Sequence, residues 1–181
     1  MSNHQHRQDR EELRELLQQY NNLRHGRGYN FIEEDGFDRI IDHFDDKEQF
    51  NLALEAADFA LGQFPYSSSM MIRKADLLIS LRRYPEALEF LNQAELYDSR
   101  DINLYILRTD AYLALDMQEK AATLLEDALV NFEGDEKLDL LFELADVYDD
   151  YENFEKVFDC LKVILEFDPC NEEALYKICF W

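Results

Sequence analysis

Along FELADVYDDYENFEKV, residues 142–157, apolar side chains fall at Phe142, Leu144, Ala145, Val147 and Tyr148, the spacing of one helical face. Threaded through them are Glu143, Asp146, Asp149 and Asp150, then Glu152 and Glu155. The stretch predicts a helix with a packing stripe beside a run of carboxylates. The same period appears near the start, where Leu13, Leu16, Leu17, Tyr20 and Leu23 share a face. Asp9 with Glu12 three residues on reads as a capping-box start for this first helix. Gly26 and Gly28 in RHGRG read as its end.

Beyond residue 33 the pattern repeats. Ala53, Ala87 and Ala121 are spaced by 34 and 34, as are Ala60, Ala94 and Ala128. Pro65 and Pro169 lie 104 apart, three such periods plus two residues, and the two extra residues fit around Gly134 to Lys137. With that allowance the alanine columns continue into Val157 and Ile164. Phe50, Tyr84 and Phe154 share a column, as do Phe44, Leu78, Tyr112 and Tyr148, and Asp42, Asp76, Asp110 and Asp146. A unit of this length cannot bury its own apolar face, so stacked units must form the core.

A 34-residue unit with these columns resembles the tetratricopeptide repeat (TPR) family, as a bacterial member of it. The first-helix pattern is met by Leu141, Leu144, Ala145 and Tyr148, and the second-helix pattern by Ala53, Ala57, Ala60 and Pro65. The resemblance implies an all-α fold, a right-handed superhelix of four repeats and a partial fifth. Repeats are expected at 34–67, 68–101, 102–137 and 138–171, with the first helix of a fifth at 172–181. Residues 1–33 are expected to form an N-terminal helix and loop that cap the first repeat, the alternative being a coiled-coil or partner-binding arm. Pro65 and Pro169 should end second helices, and Pro85 fits the first turn of another. Ile41 stands where the family prefers a small residue, Arg108 where Leu is usual, and Ser99 and Glu133 where proline closes the unit.

In the TPR family the first helices line the concave surface. The resemblance places Asp38, Asp42, Asp45, Ile72, Asp76, Ile106, Asp110, Phe142, Asp146, Asp149 and Tyr176 on that wall. One aspartate per repeat would form a ladder with rungs about 8–10 Å apart. At that spacing in water, neighbouring charges repel by only about 0.4 kcal/mol, so the ladder costs little. Ile72, Ile106, Phe142 and Tyr176 would run beside it as an apolar column. Such a trough suits a basic, amphipathic segment of another protein. TPR domains that clamp a terminal carboxylate use Lys and Asn where this chain has Asp38, Ile72, Asp42 and Asp76, so that mode is set aside.

Charge sharpens the choice of partner. The chain of 181 residues carries a formal net charge of -22. This disfavours nucleic acid and anionic membrane surfaces as partners. No apolar run reaches the roughly 20 residues of a membrane span, and no secretory leader is seen, so a cytoplasmic location is expected. Cys160, Cys170 and Cys179 read as reduced thiols. No phosphate-binding, zinc-protease or nucleophile-elbow motif is present, so no enzyme, cofactor or metal is expected. His4 with His6, and the clusters Asp42, Asp45, Asp46 and Asp146, Asp149, Asp150, are metal candidates without EF-hand spacing. The functional expectation is a protein-interaction scaffold. The alternative is a structural segment of a longer TPR protein, self-associating through the apolar end at Ile178, Phe180 and Trp181.

Overall fold

The computed structural model describes residues 3–27 and 31–179. Gly28, Phe180 and Trp181, and the side chains of His4 and His6, lie outside the described residues. Helix α1 is Asn3–Arg24, followed by α2 Glu34–Asp45, α3 Phe50–Gln63, α4 Ser68–Ser80 and α5 Tyr84–Glu95. Then come α6 Ile102–Ala114, α7 Gln118–Ala128, α8 Gly134–Asp150, α9 Phe154–Phe167 and α10 Glu172–Cys179. The all-α expectation is met among the described residues. Two compact units divide the chain at Tyr97. The first holds hairpins α2–α3 and α4–α5 with α1 against α2; the second holds hairpins α6–α7 and α8–α9 with α10 against α9.

Close approach within each hairpin follows from the small residues. Ala53, Ala56, Ala57 and Ala60 on α3 are fully buried, as are Ala87 and Ala94 on α5 and Ala121 on α7. Large first-helix residues fill the space opposite, among them Phe37, Met70, Leu104 and Leu140, all at 0% exposure. The departure at Ile41 has a volume explanation. Where the later second helices bury Leu91, Leu125 and Leu161, α3 buries Ala57. Ile41 and Ala57 lie in one cluster, so the bulk has moved from the second helix to the first.

Pro65 and Pro169 follow the ends of α3 and α9, and Pro85 sits in the first turn of α5. The starts of α4, α6, α9 and α10 are capped by Ser67, Asp101, Asn153 and Asn171, whose side chains accept backbone N–H bonds. The expected cap at Asp9 is not one. Helix α1 begins six residues earlier, and Arg7–Glu11 and Gln8–Glu12 contacts one turn apart carry it through Asp9. Glu12 instead pairs with Arg39 at 3.3 Å. The residues around Gly134 to Lys137 are also helical, so the two-residue excess lengthens the start of α8, which has 17 residues.

Each hairpin turns through a non-glycine residue in left-handed conformation: Glu48, Arg82, Asp116 and Glu152, with φ of 55–58°. The next amide in each case reaches back five residues. Gln49 donates to the Phe44 carbonyl, Arg83 to Leu78, Met117 to Tyr112 and Asn153 to Tyr148, at 2.8–2.9 Å. This is a Schellman closure, which satisfies a carbonyl that the helix end leaves over.

The three cysteines are free thiols. Burial pushes the Cys160 thiol up to about 11, whereas Cys170 and Cys179 are exposed. Thiolate is the reactive form. Iodoacetamide at pH 8 is therefore expected to label Cys170 and Cys179 at least tenfold faster than Cys160 in the folded protein, as read by peptide mass spectrometry.

Candidate functional site

In the first unit the acidic residues of α2 and α4 converge on one cation. Arg73 on α4 bonds Asp42, lies 3.3 Å from Asp45 and donates to Asp76 at 3.4 Å. Asp38 is half-buried on the same face of α2. Burial pushes its carboxyl up, the charge of Arg73 offsets part of this, and Asp42, Glu34 and Asp35 add to the rise. Asp76 behaves alike: burial raises it, Arg73 opposes and Asp45 reinforces. Ile72, expected as a rung of an open apolar column, is only 7% exposed and counts with the core. The face that α2 and α4 offer outward is thus polar, with carboxylates around a guanidinium.

In the second unit α6 offers Asp110 exposed and Ile106 half-buried; α8 offers Asp146 exposed and Phe142 and Asp149 half-buried. Tyr176 on α10 is 63% exposed. Again a cation enters: Lys177 on α10 pairs with Asp146, lies 4.0 Å from Glu173 and stands 6.0 Å from the centroid of the Phe142 ring. A positive group here meets a carboxylate on one side and an aromatic ring on the other. The structure thus groups Asp42, Asp45 and Asp76 around Arg73, and Asp146 and Phe142 around Lys177, whereas Ile72 turns into the core.

The expected column held aspartates, but Arg73 and Lys177 escaped it. Their signal lies one face over: Arg39, Arg73, Leu107, Glu143 and Lys177 share a repeat position. Both cations reach the aspartate 31 residues before them. Exposed pairs of this kind contribute roughly 0–1 kcal/mol each, so their consequence is geometric. They show where a cation fits on these helices.

A second polar cluster ties α7, α8 and α9. Lys156 donates to the Tyr148 hydroxyl at 2.8 Å and to Glu126 at 3.2 Å, and the Tyr148 hydroxyl donates to Glu126. Its charges are mutually satisfied, so it reads as a structural tie. Among the described residues no group of three His, Cys, Asp or Glu side chains could hold a metal ion. No described helix is long and apolar enough to cross a membrane.

No family model matches the chain. It is 28% identical over 138 residues to the general transcriptional corepressor ssn6 of Schizosaccharomyces pombe, a match over 74% of this chain and 12% of that protein. The chain thus spans about an eighth of the curated relative it matches. Among solved structures it is similar to TTC0263, a thermophilic TPR protein of Thermus thermophilus, with a TM-score of 0.67 and 18% identity over 93% of this chain and 95% of that one. It is also similar to the second TPR domain of human RPAP3 in complex with the HSP70 peptide SGPTIEEVD, with a TM-score of 0.54 and 18% identity over 61% and 91%. At these identities the likeness establishes the fold: four helical hairpins of tetratricopeptide type, with α1 before them and α10 after.

Proposed function

We propose that this chain is a non-enzymatic scaffold that takes a basic, amphipathic segment of a partner protein on the outward faces of its first helices. The observation that carries the reading is that these faces already hold cations: Arg73 among Asp42, Asp45 and Asp76, and Lys177 on Asp146 beside Phe142. Side chains that grip an arginine or lysine of their own chain have the geometry to grip one from outside. In the first unit Asp38 adds to the acidic face; in the second Asp110 and Asp149 add to it, and Ile106, Phe142 and Tyr176 supply apolar contacts. The peptide bound by the RPAP3 domain carries three acidic residues in SGPTIEEVD. An acidic ligand is the wrong sign for this chain, whose net charge is -22. The same charge disfavours nucleic acid and anionic membranes, and three free thiols fit a reducing compartment such as the cytoplasm.

The test uses a fluorescent peptide with alternating Lys, Arg and Leu residues, followed by anisotropy. Asp76→Lys with Asp110→Lys should weaken its binding about tenfold or more, and binding to the unaltered protein should fall as salt rises. A control with the same change of charge on second helices, Glu89→Lys with Asp127→Lys, should keep most of the affinity. Equal loss in both variants, or binding insensitive to salt, overturns the reading. A second reading draws on Phe158 of α9 and Leu175 of α10, which are 54% and 42% exposed. It makes the chain a stacking or self-associating segment, and light scattering across a concentration series separates the two.

A further inference from the structure

A cleft of about 480 Å³ opens in the second unit between α7, the end of α8 and the start of α9. Its volume falls within the range of about 300–1,000 Å³ usual for sites that take small groups. The floor is apolar and aromatic: Ala122 and Tyr148 are buried, and Tyr151 is half-buried. The rim is polar and exposed, formed chiefly by Glu119, Thr123, Glu126 and Lys156. No residue of the expected acidic wall lines it.

Part of this lining is closed on itself. Lys156 donates to Glu126 and to the Tyr148 hydroxyl, and its ammonium stands 4.4 Å from the centroid of the Tyr148 ring. The rest is open. The Thr123 hydroxyl donates to the Glu119 backbone carbonyl at 2.8 Å, but the Glu119 carboxylate makes no hydrogen bond or ion pair among the described residues. The Tyr151 hydroxyl is closed to water and has no hydrogen-bond partner among the described residues. A buried hydroxyl left in this state costs stability. Burial, then the charge of Glu119, push it above its ordinary value, so that carboxylate lies within electrostatic reach of it. One cleft thus holds an unpaired carboxylate and an unmade hydrogen bond.

We propose that this cleft is a binding site for a guanidinium group, held by Glu119 and Tyr151. Glu119 and Glu126 against Lys156 leave the lining with one net negative charge, so a monocation neutralises it. A guanidinium carries five N–H donors in one plane, enough to serve a carboxylate and a hydroxyl together. Its weakly hydrated faces pack on an aromatic ring and on methyl groups, which Tyr151, Ala122 and Thr123 supply. An ammonium is a compact and strongly hydrated charge, which gains less from such a floor. An anion meets two carboxylates here, and the one cation of the lining is already engaged.

The test titrates N-acetyl-L-arginine amide into isotope-labelled protein and follows backbone amide shifts, at about 150 mM salt to screen diffuse attraction to the acidic surface. Saturable shifts are expected at Glu119, Thr123 and Tyr151, with a Kd of about 1–10 mM for so small a probe. N-acetyl-L-lysine amide should bind about fivefold more weakly or worse. Glu119→Gln should weaken arginine binding about tenfold or more, and Tyr151→Phe about threefold or more. Tyr151→Phe should leave the thermal midpoint unchanged or raised, because the hydroxyl it removes is unpartnered in the free protein, so its loss of affinity does not come from unfolding. A capped Gly-Arg-Gly peptide that binds more tightly than the single residue assigns the guanidinium to a polypeptide, and equal affinity assigns it to a free small molecule. Asp76→Lys with Asp110→Lys should leave these shifts in place, so failure here is separable from failure of the first-helix reading. Equal binding of the lysine probe, shifts spread over the acidic surface without saturation, or full affinity in either cleft variant overturns the proposal.

Discussion

Deleting residues 1–24 lowers the thermal midpoint of the first unit by about 10 °C or more. The expectation rests on one ring. Tyr20 is 2% exposed, with its ring 6.1 Å from that of Phe44 and 5.8 Å from that of Phe59, centre to centre. Leu16, Leu17 and Leu23 pack against the same cluster. The fit is close enough that a Cβ added at Gly36 would lie 3.1 Å from Leu16 and 2.9 Å from Ile32. Truncating a buried aromatic costs about 3–5 kcal/mol. For a domain of this unit's size each kcal/mol moves the midpoint by about 4–8 °C. The ion pairs Arg24–Glu55 at 2.7 Å and Arg39–Glu12 at 3.3 Å lie near the surface and contribute little beside that. Tyr20→Ala alone should reproduce most of the loss. Tyr20→Phe should not, because the buried hydroxyl has no hydrogen-bond partner among the described residues. An unchanged midpoint in the deletion would mean that α1 is an arm and the hairpins are complete without it.

This helix shows which kinds of information a sequence carries openly. The stripe Leu16, Leu17, Tyr20, Leu23 was legible because burial demands periodicity, and periodicity survives without knowledge of the neighbour. The alanine columns were legible for the same reason, since close approach of two helices excludes a large side chain whatever else surrounds it. The start of α1 was not legible. Asp9 has the right chemistry for a cap, but contacts one turn apart let the helix run through it to Asn3. Capping is a local preference of about 1 kcal/mol and yields to small sums of other terms.

The charged face divides along similar lines. The aspartates announced themselves by repeating. Arg73 and Lys177 did not, because their column contains Leu107 and Glu143 as well, and only the fold brings each cation to an aspartate 31 residues earlier. Ile72 was misjudged for a related reason. Its position is exposed or half-buried in the other repeats, at Asp38, Ile106, Phe142 and Tyr176, but an isoleucine beside Met70, Met71 and Ala75 can fold inward, and it does. A column predicts where a residue sits on its helix. How far its side chain turns from solvent depends on its neighbours.

Replacing all four left-handed turn residues by glycine, as Glu48→Gly, Arg82→Gly, Asp116→Gly and Glu152→Gly together, is expected to stabilise both units. Nothing in the sequence marks these turns, because the backbone there asks for glycine and each repeat lacks it. An L side chain in this conformation costs about 1–2 kcal/mol. Glycine removes that cost but loses roughly 0.5–1 kcal/mol in freedom of the unfolded chain. The net gain is about 0.5–1 kcal/mol per turn, so about 1–2 kcal/mol in each unit. The four side chains are exposed, and each closes a different hairpin, so the gains should add. Thermal midpoints should rise by about 4 °C or more, with the denaturant slope unchanged.

Charge offers a competing explanation, because three of these changes remove a negative group from a chain of net charge -22. Arg82→Gly decides between them. It makes the chain more negative, so an electrostatic account predicts a loss, whereas relief of the backbone predicts a gain. Glu48→Ala is the converse case. It removes a charge but keeps the Cβ atom that strains a turn at φ 57°, and should gain almost nothing. If Glu48→Ala matches Glu48→Gly while Arg82→Gly destabilises, charge governs these turns and the backbone argument fails. If the order is reversed, each hairpin carries a strained turn, held in place by the packing of the two helices it joins.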